Sequence, residues 1–496
     1  MKRWVVAVAV IAFSMGCDWD QAALLNGVSV QHEVSESRLV KVYLALDGVS
    51  HPAMVEAQQR GAFSDFDLAK SIPMFPATSD ASWSRILRTE PFGGYEYTYY
   101  DPNADKVSND GFGGLVSHAA PHPHGSEDFP YYDAFDVHGA GYLDSVEKYA
   151  APELIYREAL DQLFILLAGR MATQTTFTGY LLELDIVGHY GQQDAMVDML
   201  VELSQRIDKF KADHPEVTFQ FTLFSDHGVD NVRKPPENFV TQADILRSVG
   251  VEPAKNFRDA AKRGLSLWAV APEHTRVTYG TLNTPPELVP EIARRISTSD
   301  AVDLVIAQVQ APEGAPAASD WVSLFLSGQE VLRFGFDAQT DTYWLPASGA
   351  YAQLDVDPPF TTGAAWEGFS DETLFAATAH RRYPDLFYRA RTSLLPIGVR
   401  NSAPVLFSLR EEYALKGLSM PFAEEAGAGG SHGAMGGIGS QAMLASEERD
   451  LPGVIRSESI LDMFPSMRAH LEARGVTLVP GEANAALEEA ALRAIH

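Results

Sequence analysis

The sequence predicts an α/β fold: a mainly parallel central sheet flanked by helices, with a smaller α+β cap subdomain. Three observations predict it. Nearly continuous apolar runs of strand length recur at 39–46, 178–184 and 217–225, the pattern of strands buried on both faces of a parallel sheet. Amphipathic patterns of helical period lie between or before them, at 152–168 and 195–210, and strands alternating with helices build such a sheet. From 251 to 395 the pattern changes to short apolar runs (265–270, 302–309, 322–326) among many prolines, which reads as a separate, smaller unit with strands of its own.

Taken in order, the chain opens with Lys2 and Arg3, an apolar run over 4–13 and Ser14-Met15-Gly16 before Cys17. A positive start followed by a short apolar stretch reads as an export signal, and this one is too short to span a bilayer. Cys17 is the single cysteine of the 496 residues, so no internal disulfide can form and the thiol must be explained by its position. That position resembles a bacterial lipoprotein cleavage site. Residues 1–17 are then a signal peptide of lipoprotein type, Cys17 carries the lipid, and the protein is periplasmic or cell-surface and lipid-anchored; an ordinary secretory signal with a chance cysteine is the alternative. A polar spacer (18–37) leads into a core at 38–250. This core is interrupted by a Gly-, Tyr-, His- and Asp-rich insertion at 91–149, too long for a plain loop. Residues 396–496 return to the core, with a helical pattern at 459–473 expected to pack on the sheet.

With 66 acidic against 38 basic residues the net charge is −28, which argues against a nucleic-acid-binding surface, because phosphate backbones require clustered Lys and Arg. An acidic protein that handles an anionic substrate must create positive potential locally, and bound divalent cations are the most compact means.

Three carboxylates sit just after predicted strands: Asp47, Asp185 and Asp226. In a parallel sheet such ends gather at one edge, where ligands bind. Two of them come with imidazoles, in Asp185-Ile186-Val187-Gly188-His189 and Ser225-Asp226-His227-Gly228, and this mixture of oxygen and nitrogen donors suits zinc or manganese better than calcium. Alone, each aspartate reads equally well as a turn residue or helix cap.

The order of motifs resembles the alkaline phosphatase superfamily, in its type I phosphodiesterase and nucleotide pyrophosphatase branch. The matches are short and spread over most of the chain: Leu46-Asp47-Gly48, a hydroxyl some thirty residues on, Asp185 with His189, Asp226-His227-Gly228, and Gly429-Gly430-Ser431-His432-Gly433. The resemblance implies a first cation held by Asp185, His189 and His432, and a second held by Asp47, Asp226 and His227. It also implies a hydroxyl nucleophile. Pro76, Ala77, Ser79 and Trp83 satisfy the family's register, which makes Ser79 the nucleophile with Thr78 as the alternative. Family members often have Phe-Pro-Asn after the nucleophile; here Asp80-Ala81-Ser82 follows. Ser82 is then the substitute phosphate contact, and Asp80 adds an unusual negative charge. These residues can also simply cap a helix over 81–87.

The implied activity is hydrolysis of a small phosphate ester, diester or monoester, through a phospho-serine or phospho-threonine on two divalent cations, zinc or manganese. A phosphoryl transferase of the same fold and a catalytically impaired metal-binding surface lipoprotein are the competing readings. A sulfatase would need Cys/Ser-x-Pro-x-Arg, which is absent. In the insertion, Tyr95, Tyr97, Tyr99 and Tyr100 with His118, His122, His124 and His138 suggest either an aromatic platform or third metal site, or a half-exposed strand and solvated loops; the second is preferred. Pro73 and Met74 are candidates for a leaving-group pocket or for packing. Arg85 and Arg88 lie too far along their helix to meet an anion at its N-terminus.

Overall fold

A computed structural model describes residues 38–108, 129–137, 152–189, 193–230, 232, 234–274, 276–416 and 430–479. The signal with Cys17, the spacer, the four insertion histidines and Gly429 lie outside the described residues.

The central sheet is six-stranded. Its strands are β1 (Arg38–Leu46), β2 (Asp67–Ile72), β3 (Thr176–Leu181), β4 (Val217–Phe224), β5 (Ala442–Ser446) and β6 (Val454–Arg456), in the spatial order β6-β2-β5-β4-β1-β3. β1 lies between β3 and β4, parallel to both, with Ala45 opposite Tyr180 and Phe224. β5 runs antiparallel to both of its neighbours while the other pairings are parallel, so the sheet is mainly parallel, as the sequence predicted, with one reversed strand. The reversed strand arrives from the far end of the chain, where local pattern carries no direction.

β1 explains how the sheet is held. Successive strand side chains point to opposite faces. Val40, Val42, Leu44 and Leu46 enter one buried cluster with Leu160 and Leu163 of Pro152–Arg170 and Leu200 and Leu203 of Gln193–Asp213. Tyr43 and Ala45 enter another, with Trp83, Phe464, Met467 and Leu471. Each buried Val or Leu contributes about 1.5–3 kcal/mol, which is why the run is apolar apart from Arg38 and Lys41. The C-terminal helix, broken at Phe464 before Pro465–Ala473, packs on this second face as expected.

A second, seven-stranded antiparallel sheet follows the order Tyr279–Leu282, Val405–Leu409, Val302–Gln308, Asp320–Leu326, Gln329–Asp337, Thr342–Pro346, Trp366–Ser370. It has a core of its own. It also takes in Val405–Leu409, beyond the 251–395 interval, because that strand finds its partners at 279–282 and 302–308. In the insertion, only Tyr99–Asp101 of the tyrosine stretch is strand, paired with Lys106–Ser108. Tyr95 is buried and donates to the Ser393 carbonyl, and Tyr97 stacks on Phe129, so these two rings pack rather than face solvent.

Candidate functional site

Asp47 follows the last residue of β1, and its N–H donates to the Leu181 carbonyl of β3 (3.1 Å). Gly48 follows with φ +70°, a conformation glycine adopts without penalty. A Cβ at Gly48 would also lie 2.7 Å from Asp185 Oδ1, so the bare backbone lets Asp185 approach. Asp226 lies just beyond β4, with its Oδ1 accepting from the Gly48 N–H (3.2 Å). The turn after β1 thus binds both neighbouring strand ends together.

Asp185 departs from expectation. The strand stops at Leu181, and α1 (Glu183–His189) carries Asp185 and His189 instead. A spacing of four puts both on one helix face, with His189 Nε2 3.2 Å from Asp185 Oδ2. That spacing was the available signal for a helix, and the apolar Leu181-Leu182 run masked it.

His432 arrives from the far end of the chain. Its carbonyl accepts from the Thr278 N–H (2.8 Å), and Gly430 before it donates to the His189 carbonyl (3.2 Å). A Cβ on Gly430 would fall 2.0 Å from the Gly188 oxygen, which only glycine avoids. The rings of His432 and His227 stack with centroids 4.0 Å apart.

Two donor groups result. Asp185, His189 and His432 offer ligand atoms within 4.8 Å of one another, and so do Asp47, Asp185 and His227. Asp185 therefore belongs to both, and Asp226 joins the second through its Oδ2, 3.2 Å from His227 Nε2. All six residues named from the sequence converge.

The donor set fits divalent cations. Nδ1 of His189 faces the Gly430 carbonyl (2.9 Å), that of His432 the Ala77 carbonyl (2.9 Å), and that of His227 the Gly228 carbonyl (3.3 Å). Such bonds select the tautomer that leaves Nε2 as a lone-pair donor, the arrangement of metal-binding histidines. Asp185 Oδ1 and Asp226 Oδ2 are buried with no hydrogen-bond partner, an arrangement that is costly unless a cation compensates. Burial, then the neighbouring Asp226 and Asp185, pushes Asp47 well above the usual carboxylate range. Burial, together with Asp185, does the same to Asp226. Burial lowers His227 to about 4 and His432 well below its ordinary value, so both imidazoles are neutral at neutral pH.

Ser79 is the first residue of a short helix, α2 (Ser79–Ile86). Its Oγ donates to Asp47 Oδ1 (3.2 Å) and lies 3.1 Å from His227 Nε2. Thr78 stands at the N-cap, but its hydroxyl donates to the Tyr95 carbonyl (2.6 Å) and makes no capping bond. Asp80 accepts from the Tyr131 hydroxyl (2.8 Å). Ser82 is buried, its hydroxyl lacks a partner, and it lines a small cavity with Pro73, Met74, Arg85, Tyr388 and Arg389. The lining of that cavity includes none of the six candidate ligands. Arg85 pairs with Glu458 and Arg88 with Asp462.

Two residues to which the sequence assigned no part in holding the site stand behind Asp47. The Tyr180 hydroxyl donates to Asp47 Oδ2, and Trp83 Nε1 donates to the same oxygen (3.4 Å). Trp83 is fully buried, edge-on to Tyr180, Phe135 and Phe224, and so ties α2 to the sheet. The aromatic four positions after Ser79 was the signal for Trp83; for Tyr180, no spacing marks it.

No protein-family model matches the chain, and no curated protein matches it. Among solved structures it is similar to murine ectonucleotide pyrophosphatase/phosphodiesterase 5, at 10% identity and TM-score 0.43, covering 89% of this chain and 96% of that one. It is similar also to phosphonoacetate hydrolase from Sinorhizobium meliloti 1021 in complex with phosphonoformate, at 12% identity and TM-score 0.40, covering 88% and 96%.

Proposed function

We propose that this protein is a two-cation-dependent phosphoric ester hydrolase of the alkaline phosphatase superfamily, with Ser79 as its nucleophile. The observation that carries the reading is the position of Ser79 Oγ, within 3.2 Å of both Asp47 and His227 of one donor group. Asp185, His189 and His432 would hold one divalent cation; Asp47, Asp226 and His227, with Asp185 between the two, would hold the other. When bound, such cations neutralise the charge of an in-line phosphoryl displacement and lower the pKa of a nearby hydroxyl.

The chain's own residues supply the rest. Two divalent cations held there would offset the buried carboxylates Asp47, Asp185 and Asp226 and would create locally the positive potential that a phosphate ester needs, in a protein otherwise strongly acidic. Asp47 and the short helix α2 aim the Ser79 hydroxyl. Its oxygen forms a bond to phosphorus as the bond from phosphorus to the departing alkoxide breaks, and the alcohol leaves with a proton. Water then cleaves the phospho-serine and returns inorganic phosphate, or a monoester when the substrate is a diester. The N–H groups that open α2 have no partner inside the helix and favour an anion there. Tyr131 binds the Asp80 carboxylate, so the unusual charge beside Ser79 is held by a hydrogen bond rather than left against the substrate.

Chelation tests this directly. Full-length protein turning over chromogenic phosphate monoesters and diesters is expected to lose activity with EDTA and to regain it with Zn²⁺ or Mn²⁺. Turnover that survives exhaustive chelation would sink the proposal.

The same reading puts the reaction outside the cytoplasm, on the strength of the N-terminal signal ending at Cys17. Among the described residues, no helix is long and apolar enough to cross a membrane. Radiolabelled palmitate fed to expressing bacteria is expected in the wild-type protein and not in Cys17→Ser. Equal labelling of both would place the lipid elsewhere.

A further inference from the structure

Asp230 lies just past the Asp226-His227-Gly228 turn and takes no part in either donor group, yet it is buried and bound by several polar partners. Its Oδ1 accepts from the Ser431 N–H (3.0 Å) and its Oδ2 from the Ser431 hydroxyl (3.0 Å). The Asp230 N–H returns a bond to the Ser431 carbonyl (3.0 Å). Both carboxylate oxygens also accept from the Lys234 ammonium (3.1 and 2.9 Å), whose side chain is fully buried. Ser431 is the residue immediately before His432.

The His432 loop has to be brought to a cluster built from residues 47 to 227, and it is gripped on either side of the imidazole. Gly430 is bonded to His189 and Thr278 to the His432 carbonyl. The three bonds between Asp230 and Ser431 form the side-chain clamp between these grips, and an ionised carboxylate with charged partners makes the stronger kind of hydrogen bond. The clamp also joins the two cation sites, because the chain that supplies His227 holds the chain that supplies His432.

We propose that Asp230, oriented by Lys234, is a positioning residue for the His432 side of the metal centre: it fixes the backbone at Ser431 so that His432 reaches the cation that Asp185 and His189 would hold. The inference rests on the two-cation reading above. Outer-shell groups that orient metal ligands contribute about 10–100-fold to metal affinity, and that is the size of effect expected.

The test is Zn²⁺ binding to the full-length protein by competition with a chromophoric chelator, which needs no turnover. Wild type is expected to bind two ions. Asp230→Asn is expected to weaken one of them about 10–100-fold and to leave the other within about twofold. Ser431→Ala keeps the Asp230–Lys234 pair, and with it the fold, and is expected to weaken the same ion by less. In a His432→Ala background Asp230→Asn should add nothing, since the ligand it positions is gone. Equal weakening of both ions, an additive effect in that background, or unchanged affinity in both variants would each overturn the inference while leaving the proposed function intact. A wild-type chain that binds no cation would remove the proposed function first, and this inference with it.

Discussion

Ser79→Ala is expected to lower turnover of a phosphate ester by at least roughly a thousandfold, as loss of a covalent nucleophile does, while Thr78→Ala changes it only a few-fold. The two hydroxyls are adjacent in sequence and chemically equivalent, but their surroundings differ. Ser79 Oγ lies between Asp47 Oδ1 and His227 Nε2, where a phosphoryl group held by the donor set would meet it. The Thr78 hydroxyl is committed to the Tyr95 carbonyl, so its removal costs about 1 kcal/mol of stability and nothing in the reaction. Steady-state kinetics on both variants, with a denaturant midpoint for each, decide the matter. A silent Ser79→Ala paired with an inactive Thr78→Ala would move the nucleophile by one residue and break the proposed geometry.

Asp185→Asn is expected to have the next largest effect, and one that reaches both cations. Asp185 belongs to both donor groups, whereas His432 belongs to one. The amide keeps a neutral oxygen but loses the charge, in a cluster of three carboxylates where each unit of charge sets affinity. We expect Asp185→Asn to lower bound zinc from two ions toward none at micromolar free metal, and activity by at least about a hundredfold. His432→Ala should lower bound zinc from two ions to one. Metal analysis by mass spectrometry after gel filtration separates these results. If Asp185→Asn retained one full equivalent, Asp185 would serve a single site and the shared position would carry no chemistry.

Much of this centre is legible before any fold is known, and the reason is local. Asp47 and Asp226 each follow an apolar run long enough to be a buried strand, and a strand end in an α/β sheet is where ligands gather. His189 and His227 are tied to their aspartates by fixed spacings of four and one. The glycines of the last motif carry steric information: Gly430 is glycine because any Cβ would strike the Gly188 carbonyl. Where reading by pattern failed, it failed on competition between local signals. The run before Asp185 is apolar enough for strand, yet helix begins at Glu183 because the backbone leaves the sheet at Leu181. Ser82 shares Ser79's helix, and one turn of spacing could not say that it would also line a cavity beside Arg85.

By itself, then, the sequence determined the α/β class, the strand ends that carry Asp47 and Asp226, the pairing of each histidine with its aspartate, and the chemistry of the donors, since all of these depend on residues within a turn or a strand of one another. Only the tertiary structure decided the rest. It reversed β5 against its neighbours, drew Val405–Leu409 into the second sheet, placed Asp185 between both donor groups, separated Ser79 from Thr78, and set Tyr180, Trp83 and Asp230 behind the ligands. Each of those depends on which distant segment a backbone or side-chain group meets. Hydrogen bonds and burial are satisfied by whatever arrives in space, and local spacing carries no record of that.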